Sequence, residues 1–160
     1  VDFNAVKGGI EIIPLDNDWQ KAAHVYSDEV LISHRTDAEK GTPKFERGKS
    51  LSDYQCEMIY ISGTAAIRGE ESIVTGDVLV QTEITLENIQ HLIGLEEGRE
   101  KLPEHSGKLE LLRVYLKHEE DAKIVKEDMD KLCPDVPIVY LYADVCREEL
   151  LVEIEGIAYL

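Results

Sequence analysis

Apolar positions along the chain follow two rhythms, one of strands and one of helices, and they are clearest from residue 58 onward. Residues 58–61 (Met-Ile-Tyr-Ile) form an unbroken apolar run stopped by Ser62-Gly63, which predicts a buried strand. Val78, Thr82, Leu86, Ile89 and Ile93 recur at three- and four-residue spacing and so share one helix face. Thr75 is placed to cap the first free N–H groups of that helix, and Asp77 suits its positive end. Gly94 marks its stop. Residues 109–116 read as a strong strand. Ala122, Val125, Met129 and Leu132 repeat the helical spacing within 119–132, with Pro134 just beyond. Residues 138–142 and 150–158 predict two further strands, and the charged stretch 95–107, with Pro103 and two glycines, predicts a connection.

The first 52 residues carry weaker signals. Residues 10–15 read as a strand, 22–27 and 30–33 as short strands separated by Asp28-Glu29, and 36–43 as a loop. Residues 45–50 read as an entry into the sheet. The readable order is β-α-β-α-β-β, preceded by strands. It predicts an α+β, two-layer sandwich in which two helices cover one face of a mixed sheet. The expected division is an N-terminal extension over 1–52 and the main domain over 53–160. The strands are apolar on more of both faces than two helices can cover. The second face is therefore expected to be buried between copies of the chain.

Composition narrows the function. A chain of 160 residues, 43% apolar and 31% charged, fits one globular domain. The longest apolar runs hold four or five residues, far short of the roughly 18 that span a bilayer. No leader is visible at the start, and Cys56, Cys133 and Cys146 form no CxxC pair. Both features are those of a cytoplasmic protein in a reducing compartment. The net charge of −16 and the absence of a basic cluster argue against nucleic acid as a partner. A small anionic metabolite remains open to it, because one or two well-placed arginines suffice to hold one. His24, His34, His91, His105 and His118 show no metal-ligand spacing and read as surface or loop residues. No phosphate-binding glycine loop occurs, so neither metal nor cofactor is expected.

Four segments stand in register on matching elements: residues 60–67 (Tyr-Ile-Ser-Gly-Thr-Ala-Ala-Ile), 76–89, 113–116 and 152–158. Together they resemble the Rid/YjgF superfamily over about Phe45 to Ala158. Within it, Ser-Gly-Thr-Ala at 62–65 and the stretch 140–155 are similar to the chorismatase-like branch. Ala66 and Glu70 depart from that branch, which more often shows Ser and His there, and the chain is about half a typical chorismatase. The resemblance implies a trimer with sheets inward, helices outward and three pockets between subunits. It also implies activity as an imine or enamine hydrolase or as a chorismate hydrolase. Some members carry older labels of endoribonuclease or translation inhibitor; the charge of this chain argues against a nuclease.

Glu153 is the leading catalytic candidate. Leu151 and Ile157 share its strand face, and a carboxyl set among apolar groups holds its proton more tightly, as a general acid or base requires. The plainer reading is a solvated face. By resemblance Glu153 matches the family's catalytic glutamate, which protonates the enol ether in chorismatases and positions a water in the deaminases. Glu155 reads as structural. Deaminases carry an arginine fifteen residues before that glutamate, where this chain has Ile138, so their carboxylate clamp is missing. Arg147 is the nearest anchor for an anion, or else a turn residue pairing with Glu148 or Glu149. Cys146 matches the position whose cysteine marks chorismatases forming 3-hydroxybenzoate, or is simply a buried thiol. Gly63 and Thr64 belong to a turn able to hold an oxyanion, and Tyr140 and Tyr142 are candidate pocket-lining residues or packing residues. The leading expectation is a hydrolase acting through Glu153 on an enol ether or imine. The alternative is a catalytically silent trimeric binding or regulatory protein.

Overall fold

The computed structural model describes residues 8–27, 43–52, 57–94 and 108–159. The expectations for 30–33, 36–42 and 95–107, and for Cys56, His34 and His105, lie outside the described residues. Strands β1 (Glu11–Leu15), β2 (Gly48–Ser52) and β3 (Glu57–Thr64) lead into a two-strand hairpin of β4 (Ile67–Arg68) and β5 (Glu71–Ser72). Helix α1 (Val78–Ile93), β6 (Lys108–Leu116), α2 (Ala122–Leu132), β7 (Ile138–Tyr142) and β8 (Val152–Tyr159) follow. Six strands form one sheet in the order β1-β2-β3-β8-β6-β7. Only the β6–β7 pair is parallel, and α2 is the crossover between them. The architecture is the expected α+β one, with a mixed sheet and two helices.

The core lies between the helices and one sheet face. Leu86 and Ile89 of α1 and Val125 and Met129 of α2 meet Ile59, Ile61, Leu112, Val114, Val152 and Ile154. Along β8 buried and half-buried residues alternate, as a strand with one covered face requires. The residues of the other face are fixed by pairing, since cross-strand partners project the same way. Ile12, Leu51, Met58 and Tyr159 form one such row, and Glu155, Arg113 and Val139 another.

Three local expectations need correction. The α1 cap is Asp77, not Thr75: its carboxylate accepts from the N–H groups of Leu79 (2.9 Å) and Val80 (3.4 Å). Thr75 Oγ1 accepts instead from the Asp77 N–H at 3.2 Å. Residues 22–27 form no strand; Ala23–Val25 is a single 3-10 turn. That segment belongs to a strap that runs over α1 and the β4–β5 hairpin. Lys21 N–H donates to Gly69 O at 2.7 Å, Gly69 N–H to Trp19 O at 2.8 Å, and Asn17 Nδ2 to Asn88 O at 2.9 Å. His91 is the third correction. Far from being a surface residue, it is 3% exposed, because the strap covers it. Its ring stacks on Trp19 with centroids 3.8 Å apart, and its Nε2 pairs with Asp18. The Arg68 guanidinium covers the Trp19 ring at 4.5 Å and pairs with Glu87.

The strap thus hangs on one stacked indole, which is the chain's single tryptophan. Trp19→Ala should cost about 1–3 kcal/mol of stability, read as a lowered urea midpoint. A midpoint unchanged from the parent would show that the strap contributes nothing to the fold.

Candidate active site

At one end of the sheet the chain leaves β6 through Lys117 and His118, and it returns to β8 through residues 143–151. Between these segments lies an open cleft of about 1120 Å³. Lys117 and His118 line one side; Asp144, Val145, Cys146, Glu148 and Glu149 come from the returning segment, and Glu153 from β8. Four of these groups are acidic and two basic, so the cleft of a single chain is electronegative.

Glu153 projects from the face that the helices leave open and is paired across the sheet with Tyr115. Its carboxyl lies against the bare Cα of Gly63. A Cβ built there would stand 2.9 Å from Glu153 Cδ and closer still to Oε1, so a side chain at 63 would require the Glu153 carboxyl to swing away. Burial pushes the Glu153 carboxyl above the usual carboxylate range, and the neighbouring Glu155 charge adds to the shift. Glu155 itself is held by Tyr115 Oη (2.5 Å) and by Arg113 Nε (3.1 Å). The Cys146 thiol is solvent-exposed on the cleft side, yet surrounding chain and then the Glu153 charge push its pKa up. Glu149 goes the other way: a hydrogen bond from Ser72 is the main cause that lowers it. The site therefore sets a protonatable acid and a neutral thiol beside an ionised carboxylate, a division of roles that environment alone produces.

Of the residues singled out in the sequence, Glu153, Cys146 and Gly63 come together here. The other four lie apart from the cleft. Arg147 is 8% exposed and turns to the hairpin: its Nη1 donates to Glu70 O (2.9 Å) and Ser72 Oγ (3.0 Å), and its guanidinium carbon lies 5.5 Å from the Tyr26 ring centroid. Thr64 is paired with core residue Ile154, and its Oγ1 donates to Ser62 O at 2.8 Å. Tyr140 is paired with Val114 on the helix-covered face, where burial, then Asp130 and Cys133, push its phenol up to about 12. Tyr142, at the strand end, is exposed. Ile138 packs against the core as a partner of Leu112.

Lys117 and His118 escaped the sequence reading, because they sit at a strand-to-helix junction where neither period applies. A cation just past the end of a predicted strand was the available signal. Among the described residues no cluster of His, Cys, Asp and Glu is arranged to hold a metal ion. Among them, too, no helix is long and apolar enough to cross a membrane.

No family model matches the chain. A chorismatase of Streptomyces rapamycinicus is 36% identical over 136 residues, which is 80% of this chain and 41% of that protein. A crystal structure of a chorismatase superposes with a TM-score of 0.75 at 28% identity, covering 92% of this chain and 43% of that one. A YjgF/YER057c/UK114 family protein of Mycobacterium tuberculosis superposes with a TM-score of 0.54 at 18% identity, over 72% of this chain and 86% of that one. The last likeness shows the fold. The chain spans about two fifths of the length of the chorismatases it matches.

Two outcomes follow from the packing of Glu153. In Gly63→Ala the new methyl should force the Glu153 carboxyl off β3, visible as a changed side-chain rotamer in a crystal structure of the variant. The second concerns pH. A carboxyl with a raised folded pKa binds its proton more tightly folded than unfolded. The stability this gives is full below the unfolded value of about 4.3 and is lost as pH rises through the folded value. Glu153→Gln has no such loss. Its urea midpoint relative to the parent should be lowest near pH 4 and rise towards pH 7, and a difference independent of pH would contradict the buried, protonatable carboxyl.

Proposed function

We propose that this chain, which belongs to the Rid/YjgF superfamily close to its chorismatases, is a chorismate-type hydrolase in which Glu153 is the general acid. The observation that carries this reading is the Glu153 carboxyl, packed against Gly63 in a cleft shared with Cys146, its hold on the proton tightened by burial. An enol ether needs a proton on its terminal carbon before water can attack the oxygen-bearing one. Glu153 would deliver that proton. Water would then add to the oxocarbenium ion, and the resulting hemiketal would collapse with loss of the alcohol. Cys146, neutral and beside the acid, would sit against the intermediate without competing for its proton. By resemblance a cysteine there goes with the 3-hydroxybenzoate outcome, for which the released ring diol would further have to lose water.

The assembly belongs to the same proposal. The open sheet face carries exposed Ile12 and Tyr159 in register with half-buried Leu51 and Met58, and exposed Val139 and Leu141 beside Arg113 and Tyr115. Burying that apolar surface is the driving force for a trimer with sheets inward. The electronegative cleft makes the same point from the ligand's side. Among the described residues Lys117 and His118 are the basic ones that line it, and a dicarboxylate facing Asp144, Glu148 and Glu149 needs further cations from a neighbouring chain. The second reading, a silent trimeric binder, is favoured by one observation: the two positions expected to hold a substrate arginine offer Ile138, which is packed in the core, and Arg147, which is bound to the hairpin.

Chorismate is the substrate to test, with pyruvate release as the assay and 2-iminobutyrate as the second compound. Glu153→Gln should lower kcat by about 10²–10⁴ while sedimentation still shows a trimer. Parent activity should fall as pH rises through the Glu153 pKa, because the acid must hold its proton. Turnover of neither compound would leave the silent binder as the better reading. Turnover undiminished in Glu153→Gln would remove Glu153 from the mechanism.

A further inference from the structure

The β3–β8 ladder stops at Thr64 and Ile154, after a register shift between Ile61 and Thr64. The segment that enters β8 therefore has no strand beside it on the β3 side. A side chain of α1 stands in that place. Gln81 is fully buried; its Nε2 donates to Glu149 O at 2.9 Å, and its Oε1 accepts from Leu151 N–H at 2.8 Å. Bonding one carbonyl and one N–H two residues apart is what an adjacent strand would do. On its other edge the same segment is fixed by Lys117 N–H, which donates to Leu151 O at 3.0 Å. Leu150, between the two bonded residues, is fully buried against Ala65, Ala66 and Ile67.

We propose that Gln81, which does not line the cleft, is a positioning residue for Glu153: its amide replaces the missing strand and fixes the register at which the chain enters β8. Side chains alternate along a strand, so fixing Leu151 fixes the face to which Glu153 projects, two residues on. Without the amide, Glu149 O and Leu151 N–H lose their partners inside the protein. The segment must then move towards water to satisfy them, and the Glu153 carboxyl leaves its place against Gly63.

The proposal rests on the reading of Glu153 as the acid for its kinetic arm alone; its structural arm does not need activity. In the structural arm, the Glu153 carboxyl is titrated by carbon-13 NMR in the parent, Gln81→Met and Gln81→Glu, with Glu153→Gln giving the assignment. Gln20→Met is the control. Gln20 is another buried amide; it bonds Ile67 O and makes no hydrogen bond to Glu149 or Leu151, so its loss weakens the fold while leaving both of the Gln81 bonds in place. The expected result is a Glu153 pKa that drops towards the ordinary carboxylate range in Gln81→Met, drops less in Gln81→Glu, and stays at the parent value in Gln20→Met. Gln81→Glu keeps the acceptor for Leu151 N–H, which is why it should be intermediate. In the kinetic arm, with chorismate, Gln81→Met should lower kcat by about 10- to 100-fold with little change in KM, and its pH profile should shift with the carboxyl. An unmoved Glu153 titration in folded Gln81→Met overturns the proposal, as does an equal shift in Gln20→Met. If chorismate is not turned over by the parent, the functional reading fails while the NMR result still decides the role of Gln81.

Discussion

Backbone polar groups that leave a sheet must find new partners, and the way this chain meets that demand organises the molecule. After Thr64, β3 turns out of the ladder and exposes carbonyls on its own side and on β8. Helix α1 answers with amides instead of apolar side chains. Asn88 Nδ2 donates to Ala65 O and Ile67 O at 3.0 and 3.1 Å, and Gln81 bonds both sides of Leu150. Each is a fully buried polar group, costly if unpaired and strongly ordering when paired. The hairpin, the strap and the segment before β8 are all held to the same helix in this way. The cleft opens where these segments diverge.

The candidate site applies the opposite logic. Burial and, after it, the Glu155 charge both work against ionisation of Glu153. Two residues along the same strand face, Glu155 is paired with Arg113 and Tyr115. Two carboxyls of one strand thus diverge in proton affinity, because one faces donors and the other faces a glycine and a cleft. Burying a carboxyl among groups that resist its ionisation costs stability, and molecules keep such elements where chemistry uses them.

Much of this was legible in the sequence. The six strong strands and helices from residue 58 appear where their periods put them, because each has a clear apolar pattern and several have a plain stop such as Gly94 or Pro134. Glu153 could be singled out by its apolar neighbours on the strand. The strap and the hairpin could not be read, since they are tied by a few short backbone and side-chain bonds that leave no period. Gln81, Asn88 and His91 look like the solvated face of a helix and are buried only because the strap, the hairpin and the segment entering β8 cover that face. Arg147 shows the same gap. Sequence proximity to Glu153 said nothing about the direction of its side chain, which Ser72 and the Glu70 carbonyl decide.

The contact between Glu153 and Gly63 also has a bearing on how such a site can change over generations. The two residues occupy one volume from two strands, so neither position varies freely. Any side chain gained at 63 demands a shorter or redirected one at 153, and a glutamate kept in its present position at 153 favours glycine at 63. Substitutions at the two positions are thus epistatic: a change that is damaging alone becomes tolerable only alongside its counterpart. Homologues that have abandoned the acid are released from the glycine as well, so a pair of positions, read together, separates lineages that keep this carboxyl in place from those that do not.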